Sequence, residues 1–392
     1  MSPIACVILA LGAIGHVVLW VALVNRTHAF GIQRRWIDLI TAICGIMLAS
    51  LPLLIVAVLA GFVPAEVTPL SSVASRIVWT YLTLCAAVLI VAIFQRWNWS
   101  RNPERRGSLL SNHTSAIRIA DSQPQLLSAG IPLWLGSLPG NEVLKVCIEE
   151  KMIAIPRFAH PHEPLRIVHL TDLHMSGRIT RKYFERVVEE TNALNADIIA
   201  ITGDIVERQP CIDWIPETLG RLQAASGVYY VLGNHDRHVD IEHLKTALAD
   251  AGLMHLGAEC RQLSIRGMPV VLGGNELPWF KPASNFGNVS HHAESGRPLR
   301  ILLAHSPDEF EWAQARDVDL ILAGHLHGGQ VRLPLFGAIF SPSRYGVRYS
   351  LGVFTAGNTV MHVSRGTGSL TPLRYNCPPE IALLTLCAMP QS

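Results

Sequence analysis

The chain has 392 residues, enough for more than one folding unit. Its net charge of +2 gives no sign of a polyanion-binding surface, so nucleic acid is not expected as a partner. The 8 cysteines are scattered without a CxxC pair, which argues against a thiolate zinc site and a disulfide scaffold. Hydrophobic residues make up 49% and charged residues 16%, a skew towards membrane proteins that is concentrated in the first hundred residues.

Three apolar stretches in this part are each close to the ~20 residues needed to cross a bilayer. They cover residues 4–24, 37–63 and 77–94. A cleaved signal peptide is not expected, because no Lys or Arg precedes the first stretch and two more stretches follow it. Buried core helices of a soluble domain are the alternative. We predict a transmembrane region over residues 1–96 with three helices.

The basic residues beside these stretches predict the orientation of the chain in the membrane. Those in the first loop and after the third stretch are Arg26, Arg34, Arg35, Arg96, Arg101, Arg105 and Arg106. The second loop carries only Arg76. By the positive-inside rule, the N-terminus lies outside and everything after Arg96 lies in the cytoplasm. We therefore predict an integral, multi-pass membrane protein, in which one span more or fewer would reverse the orientation.

The rest of the chain divides into a linker and a folded domain. Residues 97–140 are rich in Ser, Pro, Asn and Gln, and we interpret them as a linker. Residues 141–392 have globular composition, and short apolar runs alternate there with helix-like segments, including 181–194, 215–225 and 241–251. This alternation favours stacked sheets with helices outside, an α/β architecture.

Five of the apolar runs, between Leu165 and His327, each end in a residue that can bind a metal. They read LRIVHL-TDLH, DIIAI-TGD, VYYVL-GNHD, RILLA-HS and DLILA-GHLH. Their ends supply Asp172, His174, Asp204, Asn234, His235, His305, His325 and His327. A lone Asp or His at a strand end is usually a cap or a turn residue. Because ligands bind beyond the carboxyl ends of strands in open α/β sheets, the whole set predicts one site.

The order of these motifs closely resembles the calcineurin-like metallophosphoesterase superfamily. The stretch GHLHGGQ and the tail VSRGTGSLTPLRYNCPPEIALLTL are similar to its membrane-associated branch, the YkuE- and YaeI-like phosphodiesterases. The resemblance covers about residues 165–386 and leaves out the membrane segments. It implies a fold of class α/β: a calcineurin-like β-sandwich flanked by helices, here preceded by an N-terminal α-helical transmembrane region.

The resemblance also implies two divalent metal ions. The first would be held by Asp172, His174 and His327. The second would be held by Asn234, His305 and His325. Asp204 would bridge the two ions. Two dications ~3.5–4 Å apart can lower the pKa of a shared water and polarise a phosphoryl oxygen. Imidazole and oxygen ligands without thiolate suit Mn, Fe or Zn, with Mg as a further option.

His235 follows a metal ligand and is expected to face the substrate. There it could stabilise the transition state and protonate the leaving oxygen, as a general acid. Asp236, which we place in the catalytic set beside it, or Glu207 could orient its ring. Relatives often carry Asp where Glu207 stands.

The predicted function is a membrane-anchored, dinuclear-metal phosphoesterase that cleaves phosphodiester or pyrophosphate bonds by attack of a metal-bridging hydroxide. Tethering raises the local concentration of membrane-resident substrates, which favours a lipid-linked phosphoester. Arg344 and Arg348 are candidates for substrate binding, with an ordinary surface loop as the alternative. Three other functions stay open: a phosphomonoesterase or protein phosphatase on the same site, a non-catalytic metal-bound membrane scaffold, and a transport role for the spans.

Overall fold

The computed structural model describes residues 3–29, 32, 34–59, 72–101, 108–118, 126–158, 164–286 and 297–389. The chain divides into two units. The first comprises Met1–Asn102 with Pro342–Arg348, and the second comprises Pro103–Ser341 with Tyr349–Ser392.

The first unit contains three long helices: α1 (Pro3–Thr27), α2 (Arg34–Leu59) and α3 (Ser72–Ser100). Each is long and apolar enough to cross a membrane. All three begin before their predicted limits, and α1 and α3 also end later. The last residues predicted for the second span lie outside the described residues.

Helices α1 and α3 approach closely because small residues lie between them. A Cβ atom on Gly15 would lie 1.9 Å from the carbonyl oxygen of Cys85, so only glycine permits this approach. Beside it, His16 Nδ1 lies 2.6 Å from the Tyr81 hydroxyl, and Trp20 Nε1 donates to the same hydroxyl at 3.1 Å. These polar side chains satisfy one another between apolar helices, which fits a structural role for them.

The second unit is built on two large sheets. In spatial order, the first sheet consists of β1 (Leu109–Arg118), β2 (Lys145–Ile155), β15 (Glu380–Ala388), β3 (Leu165–Leu170), β4 (Ile198–Thr202), β5 (Val228–Val231) and β6 (Met254–His255). The second sheet consists of β13 (Gly352–Ala356), β14 (Thr359–Val363), β10 (Leu320–Ala323), β9 (Leu299–Ala304), β8 (Met268–Asn275) and β7 (Cys260–Ile265). A small hairpin pairs β11 (Arg332–Leu333) with β12 (Gly337–Ala338). The α-helices of this unit are α4 (Ile131–Gly136), α5 (Arg181–Ala193), α6 (Ile241–Asp250) and α7 (Phe310–Gln314).

The two sheets pack against each other through alternate side chains of their strands. Ile167 of β3 lies in a buried cluster with Ile301 and Leu322 of the second sheet. Its neighbour Val168 points the other way and packs with Phe184 of α5. This period-two alternation places one core between the sheets and a second core under the helices. The predicted α/β sandwich flanked by helices is confirmed.

The region interpreted as a linker contains more structure than its composition indicated. Strand β1 lies within it and pairs antiparallel with β2, and helix α4 follows. The strand escaped prediction because polar hydrogen bonds hold it: Asn112 and Thr114 both donate to Glu149 at 2.9 Å. A Ser- and Asn-rich segment can therefore form an edge strand with little apolar burial.

The helix predicted over residues 215–225 is absent. Two 3₁₀ helices, Gln209–Trp214 and Leu219–Arg221, occupy this part of the chain. The N–H of Gly220 bonds to the Ile215 carbonyl at 2.8 Å and closes a tight turn. Glycine weakens a regular helix, so the apolar pattern alone does not decide the structure here.

The core between the sheets generates a stability prediction. We expect Leu322→Ala to destabilise the protein by about 2–5 kcal/mol, because it removes fully buried methyl groups and leaves a cavity. Thermal unfolding of the full chain in detergent should show a clear fall in Tm. Met152→Ala is the control, since Met152 is 42% exposed on β2 and should change Tm little. Equal effects of the two variants would contradict this description of the core.

Candidate functional site

The candidate site lies where strands of both sheets end at their carboxyl edges. Strands β3, β4 and β5 are parallel neighbours in the first sheet, and β9 and β10 are parallel neighbours in the second. The metal-capable residues predicted from the sequence occupy the loops after these five strands. Those with left-handed backbone are Asp172, His174, Asp204, His325 and His327, with φ between 47° and 70°. Such strain in non-glycine residues clusters at functional sites.

Asp172, His174 and His327 form the first group of metal-capable side chains, and all of their ligand atoms lie within 4.8 Å of one another. The Nε2 atoms of His174 and His327 are 3.0 Å apart, and Asp172 Oδ1 lies 3.5 Å from His327 Nε2. Two imidazole nitrogens and a carboxylate oxygen this close together can coordinate one cation.

The second group consists of Asp204, His305 and His325, and its ligand atoms also lie within 4.8 Å of one another. Asp204 Oδ2 lies 3.2 Å from His305 Nε2 and 3.6 Å from His174 Nε2 of the first group, so this carboxylate stands between the two groups. Asn234 Oδ1 is 3.1 Å from His305 Nε2. The side chain of Asn234 therefore adds an amide oxygen to the second group.

Hydrogen bonding prepares His305 as a metal ligand. Its Nδ1–H donates to the Thr202 carbonyl at 2.7 Å, and this bond directs Nε2 at the site. Burial acts to lower the pKa of His305, but the Asp204 carboxylate outweighs it and raises the pKa to about 9. The same negative charge attracts a cation. An oxygen and imidazole donor set without thiolate fits a divalent metal ion, so the residues present fit the metal that the resemblance implies.

The close packing of the site requires glycine at one position. A Cβ atom on Gly324 would lie 2.0 Å from Thr171 Oγ1 and 2.5 Å from Asp172 Oδ2. The Asp172 oxygens also accept from the His325 backbone N–H, at 3.0 and 3.1 Å. Gly324 therefore lets the end of β10 approach the end of β3. This approach brings His327 to Asp172 and His174, the other members of the first group.

Glu207 connects several histidines at the open side of the site. Its Oε2 accepts from His235 Nδ1 at 2.7 Å, and its Oε1 accepts from His238 Nδ1 at 2.9 Å. His174 Nδ1 lies 3.4 Å from the same carboxylate. Burial favours the neutral acid, yet His174 and His235 hold the pKa of Glu207 well below its usual range. Of the two residues that the sequence offered as partners of the His235 ring, Asp236 and Glu207, it is Glu207 that bonds to it.

Asp236, predicted from the sequence as a catalytic residue beside His235, directs its carboxylate at backbone N–H groups. Its Oδ1 accepts from the backbone N–H groups of Ile205 and Val206 at 2.8 and 3.0 Å, and its Oδ2 accepts from Gly233 N–H at 2.8 Å. Both oxygens thus bind backbone of the loops after β4 and β5. Asp236 is fully buried and holds these two loops together, and the orienting contact to His235 belongs to Glu207.

The two arginines predicted for substrate binding belong to the first unit. The guanidinium of Arg348 lies 3.9 Å from the centre of the Trp99 ring, and that of Arg344 lies 4.8 Å from the centre of the Tyr345 ring. The metal-capable groups belong to the second unit. Substrate binding by Arg344 and Arg348 stays a prediction.

A chain of buried polar side chains, which the sequence did not indicate, runs beneath the site. Lys151 Nζ lies 2.5 Å from Glu380 and 3.0 Å from His362 Nε2. His362 Nδ1 lies 2.9 Å from His169 Nδ1, and His169 Nε2 lies 2.8 Å from Thr202 Oγ1. The Lys151 ammonium group can only donate, so His362 Nε2 accepts and the proton of this ring is on Nδ1. His362 therefore donates from Nδ1 to His169 Nδ1, which leaves the His169 proton on Nε2, where it is donated to Thr202.

Burial supports this assignment, because it lowers the pKa of His169 well below its usual value and that of His362 to about 4. Both rings are therefore neutral, as the bonding requires. The chain ends at Thr202, whose carbonyl accepts from His305. His169 is buried, and its hydrogen bonds connect the two sheets to a candidate metal ligand.

Arg374 is a second buried residue that sequence reasoning missed. Its guanidinium donates to the carbonyls of Gly368 at 2.6 Å and Arg365 at 2.9 Å, and its Nη2 lies 3.2 Å from His327 Nδ1. It is among the largest fully buried side chains. A buried arginine with carbonyl partners fixes the tail loop against the first group.

The polar chain predicts the effect of removing His169. We expect His169→Leu to destabilise the protein by about 1–3 kcal/mol, because the His362 N–H loses its acceptor and Thr202 loses a donor. Thermal unfolding of the full chain in detergent measures the effect. His113→Leu, at an exposed position on β1, is the control. A His169→Leu variant as stable as the wild type would show that these hydrogen bonds add no net stability.

Comparison with known proteins agrees with this geometry. The family model described as "Calcineurin-like phosphoesterase" matches residues 165–329. The chain is 30% identical over 234 residues to "Uncharacterized metallophosphoesterase YkuE" of Bacillus subtilis, covering 58% of this chain and 80% of that protein. It is 32% identical over 235 residues to "Phosphodiesterase YaeI" of Escherichia coli, covering 57% and 82%. It is 29% identical over 264 residues to "Transmembrane protein with metallophosphoesterase domain" of Bos taurus, covering 61% and 56%. The chain thus belongs to the calcineurin-like phosphoesterase family, and it is a metal-dependent phosphoester hydrolase.

Proposed function

We propose that this protein is a membrane-anchored phosphodiesterase that holds two divalent metal ions. The observation that supports two ions is the position of Asp204, whose Oδ2 lies within 3.6 Å of a histidine from each group. Asp172, His174 and His327 would hold one ion, and Asn234, His305 and His325 would hold the other, with Asp204 shared. When bound, such ions lower the pKa of water and polarise a phosphoryl oxygen.

The protein's own residues supply the proton and its positioning. His235 is partly exposed beside the two groups, and its backbone N–H donates to Asp204 Oδ1 at 2.8 Å. This bond fixes the loop that carries the ring. With Nδ1 bonded to Glu207, the ring can present a proton on Nε2 to the leaving oxygen of a phosphoester. His235 is the proposed general acid, and Glu207 is a positioning residue.

The proposed substrate is a lipid-linked phosphodiester or pyrophosphate at the cytoplasmic face. Three helices apolar enough to span a membrane support the tether, and a tether raises the local concentration of lipid-borne substrates. The arginines after the third helix and in the first loop support the cytoplasmic orientation. The similarity to an Escherichia coli protein named as a phosphodiesterase supports diester over monoester cleavage.

The first test compares two chromogenic esters with the full chain in detergent. After metal removal and return of Mn²⁺, we expect hydrolysis of bis(p-nitrophenyl) phosphate to exceed that of p-nitrophenyl phosphate. His235→Ala should lower kcat on the diester by about 10²–10⁴-fold, the usual contribution of a general acid. Its metal content should stay unchanged by elemental analysis. A preference for the monoester would establish the phosphatase alternative, and metal binding without turnover of either ester would establish the scaffold.

A second test separates positioning from proton donation. Glu207→Gln keeps the size of the side chain but weakens the bond to His235, so we expect kcat to fall about 10–100-fold. Glu207→Asp should recover part of the loss, because the carboxylate is retained. The measurement is the kcat and KM of each variant on bis(p-nitrophenyl) phosphate. A kcat unchanged in Glu207→Gln would refute the positioning role.

A further inference from the structure

An apolar hairpin projects from the second unit immediately after the metal-capable loop. Residues 331–340, called here the apolar hairpin, contain the paired strands β11 and β12. Leu335 at its tip is 98% exposed, and Phe336 is 63% exposed. Leu333 and Phe340 are also exposed, at 44% and 45%. Contiguous apolar exposure on this scale marks a surface for binding a protein or a membrane.

The backbone of Leu335 strengthens this conclusion. Its φ is +66°, in the left-handed region that glycine or asparagine normally fills and where a bulky side chain is an outlier. A turn selected only for folding would carry a small or polar residue at this position. The chain instead presents a leucine almost fully to its surroundings, which indicates a contact made outside the described structure.

The same unit exposes a second group of apolar side chains. In helix α4, Ile131 is 73% exposed and Trp134 is 62% exposed. Tyr375 pairs with Val331 at the start of the hairpin, and its ring would lie 3.4 Å from a Cβ atom on Gly140, four residues after α4 ends. The hairpin and the segment that follows α4 therefore adjoin one residue. A tryptophan among aliphatic side chains is the composition that membrane interfaces favour.

In the chain, this surface is followed directly by a segment of the unit that contains the apolar helices. Two residues after Phe340 begins Pro342–Arg348, a segment that belongs to the unit of the apolar helices. Within that unit, Trp99 at the end of α3 donates to the Arg348 carbonyl at 3.2 Å, and the Arg348 guanidinium stacks on its ring. Along the chain, only Ser341 separates the hairpin from this segment.

We infer that the apolar hairpin and α4 insert into the surface of the lipid bilayer in which the helices of the same chain are anchored. His327 of the first metal-capable group lies four residues before Val331, so the inserted surface adjoins the site. The hairpin would then bring the phosphate of a membrane lipid to the metal-capable groups without removing its acyl chains from the bilayer. This inference deepens the proposed function by identifying where a lipid-borne phosphoester enters.

The test labels the full chain from within the membrane. The protein is reconstituted into vesicles of phosphatidylcholine and phosphatidylglycerol that contain a phosphatidylcholine with a photoactivatable diazirine in its acyl chain. After irradiation and trypsin digestion, mass spectrometry should find lipid on the peptide of residues 333–344. Trypsin releases this peptide by cleaving after Arg332 and after Arg344. Peptides from α1 are the positive control. Labelled α1 with an unlabelled hairpin peptide would overturn the inference.

The variant is Leu335→Asn, because asparagine accepts a positive φ and removes the apolar side chain. Burying one leucine is worth on the order of 10- to 100-fold in an equilibrium constant, so labelling of the hairpin peptide should fall by about tenfold or more. Met152→Asn removes a half-exposed apolar residue from β2 and should leave the labelling unchanged. Equal labelling of the two variants, or a shift from dimer to monomer in Leu335→Asn without lipid labelling of the wild type, would refute membrane insertion. The second result would identify another copy of the chain as the occupant.

Activity supplies an independent measurement. The substrates are bis(p-nitrophenyl) phosphate and a phosphatidic-acid p-nitrophenyl ester placed in the same vesicles. Leu335→Asn should lower kcat/KM by about tenfold or more on the lipid ester and leave the soluble ester unchanged. Equal loss on both esters would overturn the role in lipid access. Lipid labelling without hydrolysis of either ester would reject the proposed function and leave membrane insertion supported.

Discussion

The carboxylate of Asp204 is the group around which the second unit is arranged. It is buried at the edge of the first sheet, and it lies within reach of His174 from the same sheet and His305 from the other. An ionised carboxylate without partners would be strongly unfavourable there. Its position therefore demands cationic or donor partners from both sheets. The sandwich supplies these partners because β3, β4 and β9 all end at this edge.

The polar groups beneath the site fix the distance between the two sheets. Lys151 of the first sheet forms an ion pair with Glu380 and donates to His362 of the second sheet, and His362 binds back to His169. Burial opposes ionisation of Glu380, but Lys151 and Arg365 hold its pKa well below the usual range, so the ion pair persists inside the core. A satisfied network of this kind allows only one register of the facing strands, whereas apolar packing tolerates small shifts. Precise placement of metal ligands benefits from that restriction.

Polar partners also explain where pattern-based prediction of the fold failed. Strand β1 was interpreted as part of a linker because its region is rich in Ser, Pro, Asn and Gln, yet Asn112 and Thr114 bind Glu149 across the pair. Glu149 in turn binds Arg365 near the site at 2.6 Å. The partners of β1 come from distant parts of the chain, so no local pattern reveals them. Asp236 is similar, since its backbone partners on the loops after β4 and β5 are brought to it only by folding.

The sequence by itself determined the fold class, the three apolar helices and the identity of the metal-capable residues, because strand ends and apolar runs are local features. Tertiary structure decided which residues support them. Whether Glu207 or Asp236 bonds to the His235 ring depends on how the loops after different strands meet. The exposure of Leu335 depends on the packing of the rest of the chain. Local sequence encodes what a residue can do. Only packing decides which partners it meets, because partners far apart in the chain become neighbours through the arrangement of the sheets.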